Sequence, residues 1–135
     1  MRRSYYIFLL AGLCILNNGC GDKKDTPPPA DTAAVIQYTT PTTGATFLNG
    51  TMMQVKGNII DNNGLSTVKL EVRNTASNTV MYQQNISTGS VTYFDFNFNW
   101  TVTGISTPTN ATVRVICTDR YNYQVSKDVS VVLTD

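Results

Sequence analysis

Between positions 93 and 100 the chain reads Tyr-Phe-Asp-Phe-Asn-Phe-Asn-Trp, and this run limits the fold more than any other part of the sequence. In an extended chain Phe94, Phe96, Phe98 and Trp100 lie on one face, while Tyr93, Asp95, Asn97 and Asn99 lie on the other. A repeat of two belongs to a strand with one buried face; a helix would scatter these rings around its circumference. Burial of such large side chains contributes about 1.5–3 kcal/mol each, so the aromatic face predicts an apolar layer packed against it.

The same alternation recurs in short runs from Val35 onward. Val35 to Thr39 predicts an edge strand ended by Pro41. Met53, Val55, Gly57 and Ile59 predict a second strand, followed by a turn at Asp61-Asn62-Asn63-Gly64. Val68, Leu70 and Val72 alternate with Lys69, Glu71 and Arg73, an apolar face backed by a charged outer one. A weaker strand covers Val80 to Ile86 after the polar turn Asn74 to Asn78. Ala111, Val113, Val115 and Cys117 form another strand, and Asp119-Arg120-Tyr121-Asn122 turns the chain. Tyr123, Val125, Val129, Val131 and Leu133 close the pattern, which breaks at Lys127 and there predicts a bulge. About seven strands and no convincing helix in about a hundred residues predict an all-β, antiparallel sandwich over 34–135.

The residues before that domain read differently. Arg2 and Arg3 precede an apolar stretch from Tyr5 to Leu16, the layout of a secretion signal and too short to span a bilayer comfortably. Asn17-Asn18-Gly19-Cys20 then resembles the lipobox of bacterial lipoproteins, in which a small residue precedes a Cys that is acylated and becomes the new N-terminus. Leu16 stands one place too early and Asn17 fills the usual Leu position, a looseness similar to that of lipoproteins of the Bacteroidota. The resemblance implies a signal peptide over 1–19 and acylation of Cys20. Residues 20–33 then form a flexible tether, charged at 22–25 and proline-rich at 27–29. Asp22, Lys23, Lys24 and Asp25 are similar to surface-export tags of that phylum. Asp31-Thr32-Ala33 is similar to its O-glycosylation acceptor. The implied partner is a membrane, reached through the lipid anchor, and the implied address is the outer membrane, with exposure at the cell surface left open against the periplasmic side.

Pro41, Gly44, Phe47 and Gly50, then Asp61, Gly64 and Leu65, then Val113 to Asp119, resemble the turn and strand positions of bacterial Ig-like domains. That resemblance implies an Ig-like sandwich, and because its motifs are turn residues it specifies fold far better than function. The chain departs from antibody domains in lacking their Cys–Trp–Cys core, since Cys117 is the one cysteine of the folded part, and Asn122 stands near the usual glycine of the last hairpin.

Composition removes several function classes. The sequence contains no histidine, so a His-based triad, a His general base and the commonest zinc ligand are all excluded. A net charge of +1 with no cluster of like charges argues against a nucleic-acid partner. Glu71 and Asp95 are expected on outer strand faces as solvated charges, not as a catalytic pair. Cys117 is expected as a small buried hydrophobe, and no cofactor or resident metal is expected.

Two clusters remain. If the 61–64 and 119–122 turns share one end of the sandwich, Asp61, Asn62, Asn63, Asp119 and Asn122 gather oxygens of the kind calcium takes; the same residues also cap turns without any ion. Arg120, Tyr121 and Tyr123 form the candidate binding surface, because these residue types dominate contact hot spots, although Tyr123 could instead point inward as the first residue of its strand. The functional reading is a non-catalytic, surface-anchored module for binding or adhesion, with a protein or glycan ligand. Its alternatives are a carbohydrate-binding accessory of a glycan-uptake system and a structural envelope protein without a specific ligand.

Overall fold

The computed structural model describes residues 32–135, so the signal peptide, Cys20 and most of the tether lie outside the described residues. Six strands follow in order: β1 (Val35–Thr40), β2 (Thr46–Leu48), β3 (Met52–Asn74), β4 (Val80–Thr101), β5 (Thr109–Asp119) and β6 (Gln124–Thr134). Hydrogen bonding runs β1-β3-β5-β6-β2, with β4 paired along β3.

The expected second and third strands are one bent strand, and so are the expected fourth and fifth. In β3, residues 52–60 pair with β1 and with 93–101 of β4, while 65–74 pair with β5 and with 80–91 of β4. The register breaks between Ile60 and Leu65, so the backbone leaves one layer and enters the other without ending its strand. The bend comes from Asp61-Asn62-Asn63-Gly64. Asp61 Oδ1 accepts the N–H groups of Asn63 and Gly64 at 2.7 and 2.8 Å, and Gly64 takes a φ of +89° that an L side chain resists. β2 runs parallel to β6, a departure from the wholly antiparallel expectation.

The core lies between the layers. Met53, Val55 and Ile59 face Val68, Leu70, Val72, Val113 and Val115, with Phe96, Phe98 and Trp100 completing it, all buried. Phe94, the first ring of the aromatic run, is only partly buried at its margin. Gly57 has a packing role. It pairs with Tyr38 on one side and Phe96 on the other, and those rings meet edge to face across it, 5.8 Å between centroids. A Cβ there would lie 1.9 Å from the Gln37 carbonyl oxygen and 2.5 Å from Phe96 Cζ.

Two expectations fail for physical reasons. Glu71 is buried, 3% exposed, because Lys69 and Arg73 on the same face fold over it and pair with its carboxylate. The bulge expected near Lys127 is absent, since β5 and β6 keep one register from Thr109↔Leu133 to Thr118↔Gln124. Position 127 has the inward parity of Val125 and Val129, and its amine crosses to the Ile36 carbonyl of β1 at 2.9 Å. On the opposite edge Tyr82 stacks on Trp100 at 5.5 Å, joining the two halves of β4.

Candidate functional site

The bend at 61–64 and the hairpin at 119–123 meet at one end of the sandwich. Arg120 N–H donates to the Gly64 carbonyl at 3.0 Å, and Leu65 pairs with Asp119. Ser66 Oγ lies 3.0 Å from the Asp119 carbonyl and so joins the same corner.

Asp119 builds the hairpin tip. Its Oδ1 accepts the N–H groups of Tyr121 and Tyr123, each at 2.8 Å, and its own N–H donates to the Tyr123 carbonyl at 3.0 Å. Asn122 completes the reversal at a φ of +68°, a conformation Asn tolerates better than most side chains and the reason it can stand near the usual glycine. With the backbone held from inside, the side chains of Arg120, Tyr121 and Tyr123 project outward. Tyr121 is 51% exposed and Tyr123 62% exposed, so Tyr123 does not turn into the core. Arg120 packs over its neighbour, its guanidinium carbon 4.8 Å from the Tyr121 ring centre and one nitrogen 3.0 Å from the Tyr121 hydroxyl. All three candidate contact residues are therefore exposed at the hairpin tip.

Beneath the tip lies a pocket of about 230 Å³. Ala33, Ala34, Asp61, Cys117, Asp119 and Tyr123 line it. Asp61 and Asp119 are buried, 4% and 3% exposed. Burial, followed by smaller effects that include the two nearby carboxylates, pushes the Cys117 thiol up to about 11, which makes it an inert wall and not a nucleophile. The turns at 61–64 and 119–122 thus come together as the sequence suggested. Asn62 is exposed, and Asn62 and Asn63 both carry interactions of their own. Sequence reasoning missed the part that Ala33, Ala34 and Cys117 play in the walls, since no chemical signal marks small residues as pocket lining.

The outward position of Tyr123 and the double layer of strands complete the description of an Ig-type scaffold with a shaped loop end. A family model described as Bacterial Ig domain matches residues 35–115. The chain belongs to the bacterial Ig domain family. As a bacterial Ig domain it shares its fold with the fibronectin(III)-like modules of Clostridium thermocellum CbhA, at 12% identity and a TM-score of 0.52. That alignment covers 74% of this chain and 96% of the module. Spo0M, a sporulation control protein of Bacillus subtilis, is similar at 9% identity and a TM-score of 0.49, over 76% of this chain and 49% of Spo0M. Among curated proteins no sequence matches. A bacterial Ig domain of this build is compatible with a non-catalytic binding or structural module.

Proposed function

We propose that this bacterial Ig domain is a non-catalytic, surface-anchored lipoprotein module that binds or adheres through Arg120, Tyr121 and Tyr123. One observation carries the reading: Asp119 fixes the backbone of the tip from within, at 2.8 Å to both tyrosine N–H groups, while the side chains stand in solvent. A loop ordered before it meets its ligand loses less entropy on binding, and Tyr and Arg supply large contact area per side chain. Acylation at Cys20, implied by the lipobox, holds that tip at a membrane, and the tether carries it away from the bilayer.

Catalysis finds no support in the carboxylates. Asp61 and Asp119 share a pocket, yet each is at least 96% enclosed, so a substrate bond cannot pass between them as glycoside hydrolysis requires. A glycan ligand is the second reading, favoured by the two exposed tyrosine rings on either side of Asn122, which offer stacking faces.

The test is capture of detergent-solubilised envelope and extracellular proteins on the immobilised full chain, beside an array of polysaccharides. The variant for comparison is Arg120→Ala/Tyr121→Ala/Tyr123→Ala. Ligands held by the wild type and lost by the variant support the reading, and loss confined to polysaccharides selects the glycan form. Equal capture by both removes the tip from the account.

A further inference from the structure

Among the described residues nine large hydrophobic side chains, tyrosines included, are exposed. Singly such residues are ordinary on a folded domain, but here they are unevenly placed. Six of the nine, Val35, Ile60, Val91, Tyr93, Tyr121 and Tyr123, lie at the end built from the 61–64 bend and the 119–123 hairpin. Val35 pairs with Ile60, and Ile60 with Tyr93, in a cross-strand row beside the bend. Val91 pairs with Leu65, which pairs in turn with Asp119.

The charges of this end are uneven as well. Asp61 and Asp119 are buried, each spends an oxygen on capping its own turn, and Asp119 Oδ2 is sealed from solvent without a hydrogen bond. Among the described residues no group of three His, Cys, Asp or Glu side chains is set to hold a metal ion. Arg120 is therefore the one charge that the bend and the hairpin present outward. Asp95 stands two residues back from Tyr93 along β4 and accepts its hydroxyl at 2.6 Å. The same end receives the chain from its anchor, since Ala33 and Ala34 line the pocket that Tyr123 also lines. Residues 21–32 are all that separates Ala33 from Cys20. At roughly 3.3–3.6 Å per residue they reach at most about 45 Å.

We propose that this end docks on the bilayer that holds the Cys20 anchor, with Arg120 on lipid phosphates and the tyrosine and aliphatic side chains at headgroup level. The inference rests on the anchored-module reading and names a phospholipid surface as the ligand of its tip. Tyrosine suits a boundary that is apolar on one side and wet on the other. A guanidinium meets a phosphate with two parallel N–H groups. Val35, Ile60 and Val91 add apolar area that the headgroup and acyl boundary takes up and water does not. The tether lets the domain stand off by its own reach and return with this end foremost. Docking is thus an intramolecular step, and contacts too weak to hold a free domain suffice. The two hydrogen bonds to Asp119 Oδ1 order the tip beforehand, so contact costs little conformational entropy.

The experiment uses the full chain isolated from the envelope and added to preformed vesicles of phosphatidylethanolamine and phosphatidylglycerol. An environment-sensitive dye is placed on Val91→Cys at the anchored end and, in a second sample, on Val80→Cys at the far end of the same strand. Buried Cys117 stays unlabelled, and mass spectrometry of each sample reads both the dye position and the state of Cys20. Nitroxide-bearing lipids should quench the dye at 91 and leave the dye at 80 bright. Arg120→Ala should lower the docked-to-free ratio about fivefold, the worth of one cation at an anionic surface, and Arg120→Ala/Tyr121→Ala/Tyr123→Ala should restore emission at 91. Equal quenching at both positions, none at 91, or quenching at 91 that the triple variant leaves unchanged would overturn the proposal. Absence of quenching with an acylated Cys20 sinks the docking alone. If the triple variant then still loses a captured protein, the tip is a protein-binding surface. An unmodified Cys20 removes the anchored reading and the docking with it.

Discussion

Tyr38 and Lys127 close one edge of the sandwich by reaching across to each other's layer. The Tyr38 hydroxyl donates to the Lys127 carbonyl at 2.9 Å and accepts the Val115 N–H at 2.9 Å, while Lys127 Nζ donates to the Ile36 carbonyl at 2.9 Å. Burial pushes the phenol well above its usual range, so at neutral pH it is a protonated donor. β1 has strand partners only along β3, and these two side chains are what hold it to β6.

Tyr38→Phe should therefore cost about 0.5–1.5 kcal/mol, because it strips the part-buried Val115 N–H and the exposed Lys127 carbonyl of their shared partner while leaving the ring in place. Lys127→Ala should cost less, since the residue is exposed as a whole and loses a single hydrogen bond. Because Lys127→Ala keeps the carbonyl that Tyr38 bonds, the two losses should add to within about 0.5 kcal/mol in a double-mutant cycle read by urea unfolding.

Gly57→Ala should be among the most damaging single-methyl additions in the domain. The new Cβ would meet a backbone carbonyl that cannot rotate away, as well as the Phe96 ring. A loss of about 3–4 kcal/mol is expected. Gly44→Ala serves as the comparison: nothing lies within 4 Å of its Cβ, so only its positive φ of +82° opposes the change, at about 1–2 kcal/mol.

Glu71 sets an acid limit. Burial alone would raise its carboxyl, but hydrogen bonds from Arg73 and Lys69 outweigh that and hold it below its usual value near 4.5. A group whose folded value is lowered stabilises the fold above its unfolded value, and that contribution is lost as pH falls through the folded one. Stability of the wild type should therefore drop from about pH 4.5 downward more steeply than that of Glu71→Gln, measured by urea midpoints across that range.

Cys117 should resist alkylation in the native protein. With its thiol pushed up to about 11, it carries little thiolate at pH 8. Iodoacetamide labelling, mapped to the Cys117 peptide by mass spectrometry, should appear only when the chain is unfolded.

The sandwich was legible because its inward positions are apolar and its outward ones polar, from Met53 through Ile59 and again from Phe96 through Trp100. Where the pattern misled, a side chain was serving two layers or a neighbour. Lys127 interrupts an apolar face and imitates a bulge, yet it stands inward-facing at an edge and finds a carbonyl on β1. Glu71 reads as a solvated charge until its two flanking cations fold over it. The parallel β2 is three residues long, too short for any period to show. At the candidate site, the meeting of the 61–64 and 119–122 turns followed from hairpin order, and the chemistry of Arg120, Tyr121 and Tyr123 was visible as residue types. The orphaned Oδ2 of Asp119 was not, because a carboxylate's missing partner exists only in three dimensions.

The most direct test of the account is protease shaving of intact cells, with mass spectrometry of the released and retained peptides. The account predicts cleavage within residues 21–33, release of the folded domain, and a retained N-terminal peptide whose Cys20 carries acyl chains. A domain that stays protected until the envelope is broken, or a mature protein with an unmodified Cys20, would contradict it.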